Sequence, residues 1–386
     1  MIRITPQEAR VYMLGQLRLN SFSYSPDREG LNSLLTDLRC IQLDPLSPMG
    51  TSPDMVALAR IEHYTCNDLF NHLLPGCAFE HFAKERCLLP ADAFPWYRNR
   101  ISETPWWRLS DRLKKVPESV LEAVFQEIRE HGPLTSAQLT DHGRVEPMDY
   151  SGWKSSAKMG AMALSILWTR CRIVVAGRIE GREKLYDVPE RALKGTAMEV
   201  EGHFGQWAVV QRVEAAGLLA RSGGPHWSML EDVRTSQTPD KLLEEVLIEE
   251  VMVEGSTRRY LAPAGFRHRI FPEPDDHLRI LGPLDPLIWN RNLTEQMFGF
   301  QYIWEVYKPQ AQRRWGWYVC PLLHQGRLVG RLEGRVVNGQ LDISKVWEEE
   351  GERVDRKALD RALKRHARAC GVKTFTRPKQ FLKSSL

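Results

Sequence analysis

Residues 173–188 contain two apolar runs around a short polar turn: Ile173-Val174-Val175-Ala176-Gly177-Arg178, then Glu180-Gly181-Arg182, then Lys184-Leu185-Tyr186-Asp187-Val188. Runs rich in β-branched and aromatic residues on either side of such a turn predict a β-hairpin. The periodicity before it predicts a helix over 120–128 that ends at Gly132-Pro133, a short helix over 135–139 and a third helix over 155–169. Three helices followed by a hairpin form a winged helix. The sequence therefore predicts a winged-helix domain over residues 116–195.

The same plan recurs in residues 196–275. A predicted helix over 204–219 and a short helix around 242–245 precede two strands, which are joined by the turn Glu254-Gly255-Ser256-Thr257. Residues 1–115 are less regular, with predicted helices over 6–17 and 31–38. We therefore predict a third winged helix over 196–275 and an N-terminal winged-helix-like domain over 1–115.

From residue 276 onward the pattern changes to short strands separated by turns. Strands are predicted at 303–307, 316–320 and 326–332, and a basic amphipathic helix is predicted over 353–370. These features predict a C-terminal antiparallel β-domain with a terminal helix over 276–386. The predicted fold class is thus α+β, with tandem winged-helix domains followed by this β-domain.

Composition limits the function classes. The chain has 386 residues, of which 42% are apolar and 26% charged, which is ordinary for a globular protein of several domains. No apolar run approaches the roughly 20 residues of a membrane span, and no signal-peptide core follows Met1, so a cytoplasmic, nucleoid-associated protein is expected. The seven cysteines include no Cys-x-x-Cys pair, and phosphate-binding glycine loops are absent, so we expect no metal and no cofactor.

The net charge is only +4, with 53 basic and 49 acidic residues. A chain of this charge binds nucleic acid well only if its basic residues are concentrated on one face. The composition permits DNA binding without showing it.

The run Arg39-Cys40-Ile41-Gln42-Leu43-Asp44 carries the candidate chemistry. In an extended segment Gln42 and Asp44 project from one face, while Ile41 and Leu43 pack into the core. Such a pair can hold a water molecule, with Asp44 as general base and Gln42 as a hydrogen-bond partner that donates or accepts. The alternative is a strand-end turn in which Gln42 is merely solvated and Asp44-Pro45 begins a loop.

Over nearly its full length the chain resembles the AlkZ/YcaQ superfamily of winged-helix DNA glycosylases. The resemblance is carried by Gln42-Leu43-Asp44, by Leu281-Gly282-Pro283-Leu284-Asp285-Pro286-Leu287-Ile288-Trp289-Asn290-Arg291, and by Glu305-Val306-Tyr307-Lys308-Pro309 with Arg313-Arg314-Trp315-Gly316-Trp317-Tyr318. Gln-apolar-Asp resembles the YcaQ-like (AlkX) branch, which unhooks DNA interstrand crosslinks and removes N7-alkylated purines. In one departure, this chain has Lys84 where family members often carry a histidine.

The resemblance implies a monofunctional DNA glycosylase of base excision repair, without a lysine nucleophile. Its catalytic residues would be Asp44 and Gln42, and its partner would be double-stranded DNA with alkylated or crosslinked purines. We expect a monomer that does not bind membranes. At or beside the predicted wings, Arg178, Arg182, Arg258 and Arg259 are expected to contact DNA phosphates.

Other polar and aromatic residues leave alternatives open. Arg313 and Arg314 are candidate DNA-binding residues that could equally solvate a loop. Asp285 and Arg291 are expected to form a structural pair, and the Trp106-Trp107 pair is expected to pack internally. A non-catalytic winged-helix regulator would explain the hairpins but not the Gln-Leu-Asp motif, and a glycosylase dedicated to one genotoxin is a further possibility.

Overall fold

The computed structural model of the chain describes residues 1–103, 115–145, 157–179, 181 and 183–384. Arg182, the Trp106-Trp107 pair and the first residues of the helix predicted over 155–169 lie outside the described residues.

The secondary structure mixes helices and strands throughout the described chain. The helices are α1 Pro6–Gln16, α2 Arg28–Leu38, α3 Ser52–Leu58, α4 Asp68–Leu73, α5 Phe94–Glu103, α6 Glu118–His131, α7 Met159–Thr169, α8 Pro189–Ala192, α9 Phe204–Ala216, α10 Glu231–Thr235, α11 Thr238–Glu244, α12 Arg291–Phe298 and α13 Arg356–Ala369. The strands are β1 Ile2–Ile4, β2 Ile41–Gln42, β3 Ala78–Ala83, β4 Glu85–Pro90, β5 Leu134–Thr135, β6 Arg144–Val145, β7 Ala157–Lys158, β8 Val174–Ile179, β9 Glu183–Asp187, β10 Leu219–Ala220, β11 Ile248–Val253, β12 Arg259–Pro263, β13 Arg279–Ile280, β14 Val319–His324, β15 Arg327–Val337, β16 Gln340–Glu348, β17 Thr374–Thr376 and β18 Leu382–Lys383.

The chain divides into two compact units that are both discontinuous in sequence. The first comprises Met1–Leu69, Phe82–Cys87 and Gly205–Leu386, and the second comprises Phe70–His81 and Leu88–Phe204. The four domains expected from the sequence are finer than these two units, and their boundaries stay a prediction.

In the second unit, the predicted hairpin is present as β8 and β9, with Val174 opposite Asp187 and Ile179 opposite Glu183. The short helix predicted at 135–139 is wrong. Leu134 and Thr135 form β5, which pairs with β9, and the Gln138 side chain accepts the Thr135 N–H at 2.8 Å. The outer edge of β9 thus binds a segment whose local sequence favours a helix start.

In the first unit, the second hairpin forms the middle of a four-stranded sheet with the order β1-β11-β12-β10. Strands β11 and β12 are antiparallel, with Val251 opposite Tyr260, and the N-terminal strand β1 runs parallel to β11. Residues 254–258 connect β11 to β12, and the Glu254 N–H donates to the Ile4 carbonyl of β1 at 2.9 Å.

The C-terminal part of the first unit contains a sheet with the order β13-β14-β15-β16-β17, and β18 also pairs with β16. Strands β13 to β16 are antiparallel as predicted, but β17 and β18 pair with β16 in parallel. The strand predicted at 303–307 is wrong, because this segment is irregular and buries Glu305.

One hydrophobic cluster joins the N-terminal helix to the C-terminal residues of the first unit. It includes Tyr12, Val251, Leu287 and Phe300. In a second cluster, Met49 and Met55 pack among residues of the C-terminal sheet and of α13. The segment that follows Gln42-Leu43-Asp44 is thereby packed against the C-terminal part of its own unit.

Candidate active site

The Gln-Leu-Asp motif follows directly after α2. That helix begins at the N-cap Asp27, whose carboxylate accepts the Gly30 N–H at 2.9 Å, and ends at Leu38. Ile41 is fully buried, and the Leu43 N–H donates to the Arg86 carbonyl at 2.8 Å. These contacts hold the backbone of the motif on both sides of Gln42.

Gln42 is buried, with 9% of its surface exposed, whereas the sequence predicted a side chain that faces away from the core. Its Oε1 accepts a hydrogen bond from Lys84 Nζ at 2.8 Å. An ammonium group can only donate, so the amide must present its oxygen to Lys84. The Nε2 group of Gln42 is therefore the part of the amide that can donate a hydrogen bond to a further group.

Asp44 is half-buried, and its Oδ1 accepts the Leu46 N–H at 2.9 Å. Burial raises the pKa of the Asp44 carboxyl, and the Leu46 N–H only partly opposes this rise. A carboxylate with a raised pKa is a stronger proton acceptor than an ordinary aspartate. Asp44 is therefore suited to act as a general base.

Tyr318 belongs to the electrostatic surroundings of Asp44. Its ring is buried, and burial raises its pKa well above the usual value, with the negative charge of Asp44 contributing in the same direction. Tyr318 therefore stays protonated and neutral beside the carboxylate at physiological pH.

Lys84 lies at the tip of the β3–β4 hairpin and is also buried, with 6% of its surface exposed. Burial lowers its pKa, and the positive charge of Arg212 acts in the same direction. Its Nζ lies 5.0 Å from the centre of the Trp289 ring. The ammonium is thus held between a neutral amide and an aromatic face.

Asp285, within the Leu-Gly-Pro-Leu-Asp-Pro run, pairs with Arg60 and not with Arg291, so the predicted partner is wrong. Both side chains are fully buried, and their two contacts measure 2.7 and 3.1 Å. Arg60 Nε also donates to the Leu17 carbonyl at 2.8 Å, while Arg291 lies 5.9 Å from the Tyr302 ring centre. The buried pair fixes the segment that leads to Trp289.

Glu305 organises the Arg-Arg-Trp-Gly-Trp-Tyr segment. Its buried carboxylate accepts the N–H groups of Arg314 at 3.1 Å and Trp315 at 2.7 Å, and it also accepts from Lys308 Nζ at 3.0 Å. Burial would raise the pKa of Glu305, but these hydrogen bonds hold it below the usual value. The Glu305 carboxylate in the first sequence block, residues 305–309, therefore binds the backbone of the second block, residues 313–318.

Arg313 and Arg314 are the first two residues of this loop, which comprises residues 313–317. Arg313 Nε donates to the Lys308 carbonyl at 2.8 Å, and the Arg314 guanidinium lies 4.6 Å from the centre of the Trp315 ring. Both side chains therefore contact their own loop, and their predicted contact with DNA stays a prediction.

The arginines expected at the predicted wings differ in their surroundings. Arg178 pairs with the buried Glu80, which also contacts Lys184 Nζ at 3.0 Å. Arg259 lies 3.6 Å from Glu250, and Arg258 is exposed at the end of the β11–β12 turn. Arg258 is thus the most available of the three for an external phosphate, and contact with DNA stays a prediction for all of them.

Lys84 and Trp289 belong to the site, although their sequence context does not indicate it. Lys84 stood out only as a departure from the family pattern, and Trp289 only as part of the long and unusual block of residues 281–291. The contact between Lys84 and Gln42 joins positions 42 residues apart, and nothing in either local sequence indicates it.

Among the described residues, no helix is long and apolar enough to cross a membrane.

Comparison with known proteins identifies the class of enzyme. A family model described as "DNA glycosylase AlkZ-like" matches residues 35–369. The chain is therefore a DNA glycosylase, a DNA repair enzyme that acts on DNA, and it belongs to the AlkZ-like family. Its fold is similar to that of the DNA glycosylase AlkZ from Streptomyces sahachiroi, with a TM-score of 0.60 and 16% identity over 98% of this chain and 100% of that chain.

Proposed function

We propose that this DNA glycosylase hydrolyses the N-glycosidic bond of N7-alkylated purines and unhooks DNA interstrand crosslinks, and that it works as a monofunctional monomer. The observation that carries this proposal is a half-buried Asp44 of raised pKa, two residues from a Gln42 whose amide orientation is set by Lys84.

Alkylation at N7 makes the purine cationic, so the base leaves with little help from a general acid. The enzyme must then stabilise positive charge on the sugar and deliver a water molecule to C1′. Asp44 can do both, through its negative charge and as the base that takes the proton of the water. Gln42 Nε2 can donate to the water oxygen or to the Asp44 carboxylate and so align the attack.

In this proposal, winged helices over 116–195 and 196–275 hold the duplex without recognising its sequence. A crosslinked purine is tethered to both strands and cannot rotate freely out of the helix, so attack from an open cleft suits this substrate better than base flipping.

The test compares three duplexes, containing N7-methylguanine, a nitrogen-mustard crosslink or uracil, each incubated with the enzyme and then cleaved with alkali. We expect release of N7-methylguanine and unhooking of the crosslink, with little action on uracil, whose departure needs leaving-group activation. Efficient uracil release with an inert crosslink would contradict the proposal.

A second experiment tests the monofunctional mechanism. Lys84 lies close to Gln42, so sodium borohydride is added during turnover to trap any imine between a lysine and the opened sugar. We expect no trapped adduct and no strand cleavage without alkali. A trapped adduct lost in Lys84→Met would show a lyase mechanism instead.

A further inference from the structure

One face of α13 is strongly basic. Arg361, Lys364, Arg365 and Arg368 follow the i, i+3, i+4, i+7 spacing that places side chains on one helix face. This face lines a cavity of about 660 Å³, together with Lys373 and with Glu62, His63 and His277. The opposite face of α13 is buried in the core of the first unit.

The charge in this cavity is high for the protein as a whole. Five basic side chains and the single carboxylate of Glu62 give a formal charge of +4, which equals the net charge of the entire chain. Like charges three and four residues apart destabilise an isolated helix by about 0.2–0.5 kcal/mol per pair. The helix dipole favours cations in the last turn, which accounts for Arg368, and Arg361 lies 3.7 Å from the Asp276 carboxylate, but neither interaction accounts for Lys364.

Arg365 is the most enclosed cation of the group. Burial lowers its pKa to about 10, and Arg279 adds to this effect, so the guanidinium still carries its charge at neutral pH. It donates to the Leu278 carbonyl at 2.8 Å and lies 4.8 Å from the Phe22 ring centre. Within the described part of the chain it forms no ion pair. The negative charges of Glu62 and Asp275 act on Arg365, but among the described residues neither carboxylate forms an ion pair with it, so this partly desolvated cation can still attract an external anion.

We propose that this cavity binds phosphodiester groups of the DNA backbone at a place separate from the Gln-Leu-Asp motif. Arginine and lysine side chains that converge on a concave surface match the oxygens of a phosphate, and DNA is the polyanion on which this family acts. The contact would hold the duplex by charge and would carry no sequence information.

The test measures the affinity of the full-length chain for an undamaged duplex by fluorescence anisotropy at several salt concentrations. Lys364→Gln and Arg368→Gln should each weaken binding at low salt and reduce the slope of log K against log salt by about 0.9 per lost phosphate contact. Both residues are exposed, so the melting temperature should hardly change.

Lys357→Gln is the matched control, because Lys357 is exposed on the same helix but does not line the cavity. An unchanged affinity and slope in both cavity variants would overturn the proposal. So would an equal loss in the control, which would show general surface electrostatics. If inorganic phosphate raises the melting temperature of the wild type but not of the variants, while duplex affinity is unchanged, the ligand is free phosphate and the assignment to DNA is wrong.

A second, independent inference concerns Lys84 and rests on the proposed role of Gln42. We infer that Lys84 is a positioning residue that fixes the Gln42 amide with its nitrogen toward the water and Asp44. Within the described residues Lys84 forms no ion pair, and its hydrogen-bonding partner is neutral. The charge of Glu85 acts on Lys84 but does not pair with it, and a buried ammonium without a paired carboxylate is unfavourable for stability, so packing alone does not explain a lysine here.

A double-mutant cycle measured by single-turnover excision of N7-methylguanine tests this inference. Lys84→Met should slow the chemical step roughly tenfold without changing duplex affinity, whereas it should add nothing in a Gln42→Ala background. Lys84→His keeps a donor at this position and should retain most of the rate. Lys241→Met, at an exposed lysine, is the control for the same chemical change.

The outcomes are distinguishable. The positioning role of Lys84 would be overturned if the rate losses of Lys84→Met and Gln42→Ala multiply in the double variant. It would also be overturned if the rate of Lys84→His is as low as that of Lys84→Met. Neither result would contradict the proposed role of Gln42. Full activity of Gln42→Ala alone would instead contradict the proposed role of Gln42 itself.

Discussion

Asp44 and Gln42 differ in how the fold holds them. Asp44 is half-buried with one backbone donor, whereas Gln42 is buried and its amide orientation is imposed by Lys84. Asp44 should therefore contribute more than Gln42 to the rate of excision, because Asp44 activates the water whereas Gln42 orients it. Gln42→Ala should accordingly slow excision less than a substitution of Asp44.

The raised pKa of Asp44 predicts the pH dependence of activity. The base must be ionised, so the single-turnover rate should fall with decreasing pH through a pKa above 3.8, the usual value for aspartate. A rate that stays constant down to that value would show that Asp44 is not the base.

The same pKa predicts an effect on stability. A carboxyl whose folded pKa is raised makes its full contribution to stability below its unfolded pKa, and this contribution is lost as the pH rises through the folded pKa. At neutral pH Asp44→Asn should therefore raise the melting temperature slightly, as expected when a functional residue is removed. A clearly lower melting temperature would contradict this account.

Among the structural elements, the loop of residues 313–317 depends on two carboxylates. Glu305 accepts several of its N–H groups, and Glu333 accepts the Trp317 N–H at 2.6 Å. A Cβ atom at Gly316 would lie 2.4 Å from the Glu333 carboxylate. Gly316→Ala should thus move the Glu333 carboxylate away from the Trp317 N–H and lower the free energy of unfolding by about 0.5–1.5 kcal/mol, the usual contribution of one hydrogen bond, measured by denaturant titration. Gly177→Ala, with its nearest neighbour at 3.5 Å, should change it far less.

The Arg60–Asp285 pair should behave as one unit. Asp285→Ala leaves a buried guanidinium without its partner and should destabilise the fold by about 3–5 kcal/mol. Replacing both residues, as Arg60→Met with Asp285→Leu, should recover much of this loss in the same denaturant titration. A double variant that is less stable than Asp285→Ala would contradict the account.

Across the whole molecule, DNA affinity should come from charge distributed over several surfaces. Arg258→Glu should weaken binding to every duplex similarly and reduce the salt slope by about one unit per lost phosphate contact. Arg259→Glu should have a smaller effect, because Glu250 already lies 3.6 Å from Arg259. Loss of affinity for one sequence alone would favour a sequence-specific contact. Anisotropy titrations with duplexes of unrelated sequence, at several salt concentrations, measure both the affinity and the salt slope.

Local sequence patterns correctly predicted those helices and strands whose formation depends mainly on residues close to them in the sequence. The β8–β9 hairpin, the helices over most of 118–131 and 204–216, and the basic helix α13 follow from periodicity and turn residues. The errors at 135–139 and 303–307 arise from partners distant in sequence, because β9 binds the first segment and Glu305 of the second binds a loop. The Lys84–Gln42 contact is of the same non-local kind.

The most direct test of the proposed chemistry is a single-turnover assay of Asp44→Asn on a duplex containing N7-methylguanine, with duplex affinity measured in parallel. The Asn side chain can still accept the Leu46 N–H, so the local fold should persist. We expect that excision is abolished while duplex affinity stays within a few-fold of the wild type. A variant that retains most of the activity would contradict the assignment of Asp44 as the catalytic base.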